Sequence, residues 1–97
     1  MKGLVMKRYL IERDIPGIGS LSRVQLKSIA AKSNDVLAKL SGKVQWVESF
    51  VGADKTFCIY LAESEDLVFE HARLGGFPVT RLTEVPAVMA PMTAFSD

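Results

Sequence analysis

Two helical periodicities, each set between strand-like segments, and a four-residue turn joining the two central strands predict an α+β domain of the ferredoxin-like type, in the order βαββαβ. Met6–Arg13 alternates, with Tyr9 and Ile11 on one side and Arg8, Leu10 and Glu12 on the other, as a half-buried strand does. Pro16, Gly17 and Gly19 close it in a loop. Ser22 then stands three residues before Gln25, the capping-box spacing of a helix start. Leu26, Ile29, Ala30, Ser33, Leu37 and Leu40 recur at i+3 and i+4, so the helix runs to about Leu40, with Gly42 as its stop.

Val44–Val51 and Thr56–Ala62 are rich in β-branched and aromatic residues and flank Gly52-Ala53-Asp54-Lys55, which makes them an antiparallel hairpin. Ser64 is the next N-cap, and Glu65 and Asp66 occupy the first turn, where the helix dipole favours acids. This second helix extends to about Leu74 and is closed by Gly75-Gly76. Val79–Val85 follows Pro78 as the last strand.

Ninety-seven residues make one domain, with its core over 6–85, an N-terminal extension over 1–5 and a C-terminal segment over 86–97. That last segment has two prolines and no helical period, and reads either as a loose end or as an arm carrying Val88, Met89, Met92 and Phe95 across a partner. The mean hydropathy of +0.19 is high for so small a body, which points to a partner covering part of the surface. Twelve basic against eleven acidic side chains leave a formal charge of +1 without a run of one sign, so nucleic acid is not an expected partner. The lone Cys58 excludes an intrachain disulfide and any multi-cysteine zinc site. No secretion signal and no apolar stretch of about 18 residues is evident, so the expected address is cytoplasmic and no membrane is involved.

In the hairpin, Val47 and Val51 share one side, and so do Phe57, Ile59 and Leu61; these plain apolar sets are the expected floor for the helices. The opposite side would then carry Trp46, Glu48, Phe50, Thr56, Cys58 and Tyr60, joined by Arg8, Leu10 and Glu12. Helices on only one side leave that second face open. Its aromatic content predicts a homodimer, two sheets packed face to face through Leu10 and Phe50 and enclosing a cavity, like a dimeric α/β barrel.

MKRYLIERDIPG (Met6–Gly17), WVESFVGADKTFCIYLAESED (Trp46–Asp66) and EHARLGGFPVTRLTEV (Glu70–Val85) resemble a bacterial ferredoxin-like family of domains of unknown function. The family includes a nickel-binding, nickel-responsive protein with a dimeric fold. The resemblance implies a divalent transition metal as cofactor, nickel first. In the family pattern the Glu48 position is often histidine, in a stretch like WVHSYV, whereas His71 matches the common pattern. A carboxylate in that place shifts preference from nickel toward harder ions.

The metal candidates are therefore His71, Glu48 and Cys58, and the residues expected to line a cavity are Arg8, Glu12, Trp46 and Tyr60. Each has a plainer reading. His71 can hold its helix to the sheet by one hydrogen bond, Glu12 or Glu48 can pair with Arg8 across an interface, and Cys58 can be a small buried hydrophobe. One geometric objection stands: His71 belongs to the helix layer, while Glu48 and Cys58 are expected to point away from it.

Three functions fit these residues: a small metal- or ligand-binding protein, a cofactor-independent enzyme of monooxygenase or isomerase type using the dimer cavity, and a ligand-sensing module without chemistry. In the enzyme reading His71, Tyr60 and Arg8 supply acid, base and anion-binding groups. RNA binding through the sheet is disfavoured, because the basic-aromatic run that such sheets use is missing and Phe57-Cys58-Ile59-Tyr60 offers few positive charges.

Overall fold

The computed structural model describes residues 5–96 and has the expected ferredoxin-like α+β architecture. Its elements are β1 (Lys7–Asp14), α1 (Arg23–Lys39), β2 (Val44–Val51), β3 (Lys55–Ala62), α2 (Glu65–Gly75) and β4 (Arg81–Val85), with single 3-10 turns at Ile18–Ser20 and Pro91–Phe95. The sheet order is β2-β3-β1-β4 and all three ladders are antiparallel. Each helix crosses over one intervening strand, so both lie on the same side of the sheet.

Local chemistry sets the helix ends where the sequence places them. The Gln25 amide donates to Ser22 Oγ at 3.2 Å and the Ser22 amide donates to Gln25 Oε1 at 2.9 Å, a complete capping box. Beyond α1, Ser41 and Gly42 both take positive φ (53° and 77°), which turns the chain toward β2. Ser64 caps α2 by accepting from the Leu67 amide, and Gly76 at φ 70° ends it.

The core lies between the sheet and the helices: Tyr9 and Ile11 of β1, Val44 of β2, Cys58, Tyr60 and Ala62 of β3, and Val68 of α2. In α1 the contact is uneven. Ser33 and Val36 are buried and Leu37 and Leu40 half-buried, whereas Ile29 toward the N-terminus is 39% exposed. The first half of α1 therefore stands off the sheet.

The expected faces of β3 are reversed in the structure, whereas in β2 Val51 lies on the helix side and Glu48 and Phe50 on the open side, as expected. Tyr9 pairs with Tyr60 and Ile11 with Cys58, and residues opposite each other in an antiparallel ladder share a side. Thr56, Cys58, Tyr60 and Ala62 thus lie under the helices, while Phe57, Ile59 and Leu61 face the open side. Both sets are apolar, so alternation alone cannot tell floor from outer face. A second correction concerns β2, where a bulge between Trp46 and Glu48 breaks the alternation. Trp46 falls on the helix side with Ser49 and Val51, and Glu48 and Phe50 on the open side. Val47, expected in the floor, is half-exposed at the bulge.

Of the flanking segments, 1–4 lie outside the described residues, as does Asp97. Pro91–Phe95 forms a 3-10 turn with Val88, Met89, Met92 and Phe95 all exposed. Among the described residues no helix is long and apolar enough to cross a membrane.

Candidate ligand-binding cavity

Where α1 stands off the sheet, a cavity of about 510 Å³ opens inside a single chain. Small-molecule sites commonly occupy this size range. Its floor is the helix side of the sheet: Arg13 from β1, Thr56, Cys58 and Tyr60 from β3, and Trp46, Ser49 and Val51 from β2. Leu26, Ile29, Ala30 and Ser33 of α1 form the roof, the i+3/i+4 stripe expected to be core.

Two connections close the ends. Ile15, Ile18 and Leu21 come from the β1–α1 loop, which is pinned to the β2–β3 turn. The Ile15 amide donates to Asp54 O at 3.0 Å, the Gly17 amide to Asp54 Oδ1 at 2.8 Å, and the Gly19 amide to Ala53 O at 2.9 Å. Gly19 is required there, because a β-carbon would sit 2.5 Å from Gly52 O and 2.8 Å from Ala53 Cα. At the other end Gly75, Gly76, Phe77 and Pro78 lead from α2 to β4.

The charged group of the floor is Arg13, only 3% exposed. Its Nη1 donates to Pro78 O at 2.7 Å, and its guanidinium carbon lies 5.4 Å from the Phe77 ring centroid and 5.9 Å from that of Tyr60. Nη2 has no protein partner among the described residues, and no carboxylate there forms an ion pair with it. No Asp or Glu lines the cavity, and its second cation is Lys32 at the exposed rim, with Nζ 5.7 Å from the Phe77 ring centroid.

His71 lies behind this floor, fully buried between the rings of Tyr60 (centroids 5.1 Å apart) and Phe77 (5.5 Å). Its Nε2 is 3.1 Å from Ser33 Oγ, a bond that ties α2 to α1 rather than to the sheet. Nδ1 has no protein partner among the described residues. Burial, and next the neighbouring Arg13 charge, push its pKa down to about 4, with a hydrogen bond to the Ser33 backbone opposing them. The imidazole is therefore neutral at physiological pH. Burial raises the Tyr60 phenol above its ordinary value, against the pull of Arg13. The Cys58 thiol is buried, 3.5 Å from Thr56 Oγ1. Trp46 stacks toward Tyr60 (centroids 6.5 Å, planes 18° apart), and its Nε1 donates to Ser49 Oγ at 2.9 Å across the bulge.

The expected site residues thus divide between two faces. Cys58, Trp46 and Tyr60 meet at the cavity with His71 behind them. Arg8, Leu10, Glu12, Glu48 and Phe50 lie on the open face, where Phe50 is 55% exposed and Glu12 lies 3.4 Å from Lys55 Nζ within the same chain. Arg13 and Ser33 belong to the cavity without having been singled out. The signal for Arg13 is its parity: it continues the buried Tyr9–Ile11 alternation, so a charge at that position must lie under the helices.

The donor set can be tested against nickel. Among the described residues no three of His, Cys, Asp and Glu are close enough to hold an ion. His71 has a guanidinium for a neighbour, which repels a cation, and Glu48 is on the other side of the sheet from His71 and Cys58. The helix side of one chain does not fit a nickel ion.

A family model described as "Nickel responsive protein SCO4226-like" matches residues 9–85. The chain is also similar to a solved structure, SCO4226 from Streptomyces coelicolor A3(2), with a TM-score of 0.71 and 14% identity, covering 84% of this chain and 99% of that one. No curated protein matches it.

Proposed function

The chain belongs to the SCO4226-like family of nickel-responsive proteins, and from that premise we propose that it is a small non-catalytic binding protein whose ligand occupies the cavity between α1 and the sheet. One observation carries the reading: an apolar cavity of about 510 Å³ converges on a buried, incompletely bonded Arg13. Buried charges cost several kcal/mol unless something pairs them, so a floor of this kind is suited to a bound partner group. Acid–base chemistry is less well supported, since His71 and Tyr60 both have their charged forms disfavoured.

The family description favours a second reading, response to nickel or another divalent ion. Its donors would have to come from the open face, where Glu48 is exposed, and be completed by a second copy. Trp46 is the only tryptophan, so its emission reports on the cavity directly. Nile red, a neutral apolar dye, should quench Trp46 and raise the melting temperature. Nickel, zinc, copper, manganese and magnesium should leave Trp46 unchanged. A melting shift with one ion, lost in Glu48→Gln but not in Ile29→Trp (a variant that fills the cavity), would replace the first reading with the second.

We also propose a homodimer formed through the open face. Leu10, Ile59 and Leu61 are partly exposed there and Phe50 and Phe57 more so, an apolar patch beside Arg8, Glu12 and Glu48. Light scattering should give twice the 10.6 kDa of one chain. Phe57→Lys should shift the protein to a monomer without changing its Trp46 emission; a wild-type monomer at tens of micromolar would rule the dimer out.

A further inference from the structure

Resting on the cavity reading, we infer that the ligand is a small organic monocarboxylate with an apolar body, its carboxylate on Arg13 and its body beneath α1. Three independent features of the cavity converge on that class. The first is charge. The lining has two cations, Arg13 and Lys32, and no acid, so an anion gains from both and a cation is repelled by both. Arg13 is nine-tenths buried and more, and no carboxylate of the described residues forms an ion pair with it.

The second is hydrogen-bond geometry. Nη1 is committed to Pro78 O, and Nη2 is left without a protein partner on a group that lines the cavity. Guanidinium forks match planar oxyanions, and a carboxylate is the member of that class compatible with so apolar a surrounding. A phosphate dianion would need several more donors than the lining offers, where the polar side chains besides Arg13 and the rim Lys32 are single hydroxyls, one thiol and the Trp46 indole N–H, which already donates to Ser49 Oγ. The third is the rest of the lining. Aliphatic side chains of α1 and of the β1–α1 loop face the Trp46 and Tyr60 rings, a surface for an alkyl or aryl body and not for a sugar or a peptide backbone.

The test compares acids with their neutral isosteres on the full chain: octanoate against octanamide, and 4-phenylbutanoate against 4-phenylbutanamide, followed by Trp46 emission and melting temperature. The acids should bind at least about tenfold more tightly than the amides, the size of one charge-assisted hydrogen bond. In Arg13→Met the preference should vanish, and in Lys32→Met, at the exposed rim, it should fall by less than about threefold, as expected for a screened surface charge. If Arg13→Met does not fold, the wild-type ratio and Lys32→Met decide the matter between them. Equal binding of acid and amide overturns the carboxylate while leaving the cavity as a binding site. A preference lost in Lys32→Met places the anion at the rim and overturns the assignment to Arg13. Silence from acids, amides and Nile red alike overturns the cavity reading itself.

Discussion

Acidification from pH 6.5 to pH 4 should remove about 3 kcal/mol of stability through His71 alone, on the scale of 1.36 kcal/mol per unit of pKa difference between folded and unfolded chain. The folded value is about 4 and the ordinary value is 6.5. Between those limits the unfolded chain takes up a proton that the native one refuses, so stability rises with pH there. The contribution is complete above about pH 6.5 and is lost as pH falls toward 4. Burial sets the direction and the Arg13 charge from β1 adds to it, while a hydrogen bond to the Ser33 backbone of α1 opposes both; the uncharged Tyr60 phenol from β3 also faces the ring. Urea unfolding at half-unit pH steps measures it, with His71→Gln as the reference, since glutamine can still bond Ser33 and does not titrate. Parallel curves for the two proteins across this window would show that the imidazole is not held neutral by its surroundings.

Arg13→Met should make the ligand-free protein more stable by about 1–2 kcal/mol, because exchanging a buried, incompletely paired charge for an apolar side chain of similar length is neutral to stabilising. Two losses oppose the gain: the bond to Pro78 O and the approach of the guanidinium to the Phe77 and Tyr60 rings. Together these are worth about 1–2 kcal/mol, less than the several kcal/mol of desolvation that the unpaired charge costs. The variant should also bring the His71 pKa back up, since the Arg13 charge is the second cause of its depression, and so shrink the acid-dependent loss. Chemical denaturation at pH 7 and pH 5 reads both effects at once. Destabilisation by more than about 2 kcal/mol, with the acid dependence unchanged, would make Arg13 a structural link to the α2–β4 connection and not a binding group.

The element order was legible from the sequence because each signal there is local. Ser22 with Gln25, Ser64 with its acids, and Gly75-Gly76 act within a turn of the residues they organise, and all are found in those roles. The faces of β3 were not legible, and the reason is physical. β3 is apolar on both sides, so the floor is decided by register against β1, a contact between residues some fifty positions apart in the chain. The cavity was hidden for the same reason. The i+3/i+4 stripe of α1 predicts which residues turn inward but not whether anything meets them, and Leu26, Ile29 and Ala30 turn toward space. Of the candidate site, Cys58, Trp46 and Tyr60 do come together with His71 behind them, but on the side opposite to the one expected.

The bulge in β2 gives this strand an unusual tolerance of length. Everywhere else in the three ladders the pairing runs residue for residue, so losing one amino acid would turn the rest of the strand over and exchange cavity side chains for outward ones. At Val47 the opposite holds. Trp46 already pairs with Tyr60 and Glu48 with Ile59, so deleting Val47 heals the ladder and leaves every other residue of β2 on its present side. A chain without Val47 should fold and keep Trp46 under α1, whereas one without Phe50 should not. Insertions and deletions are ordinarily confined to loops; here the loss of a single codon inside the sheet should shorten the strand without rewriting the cavity it helps to build.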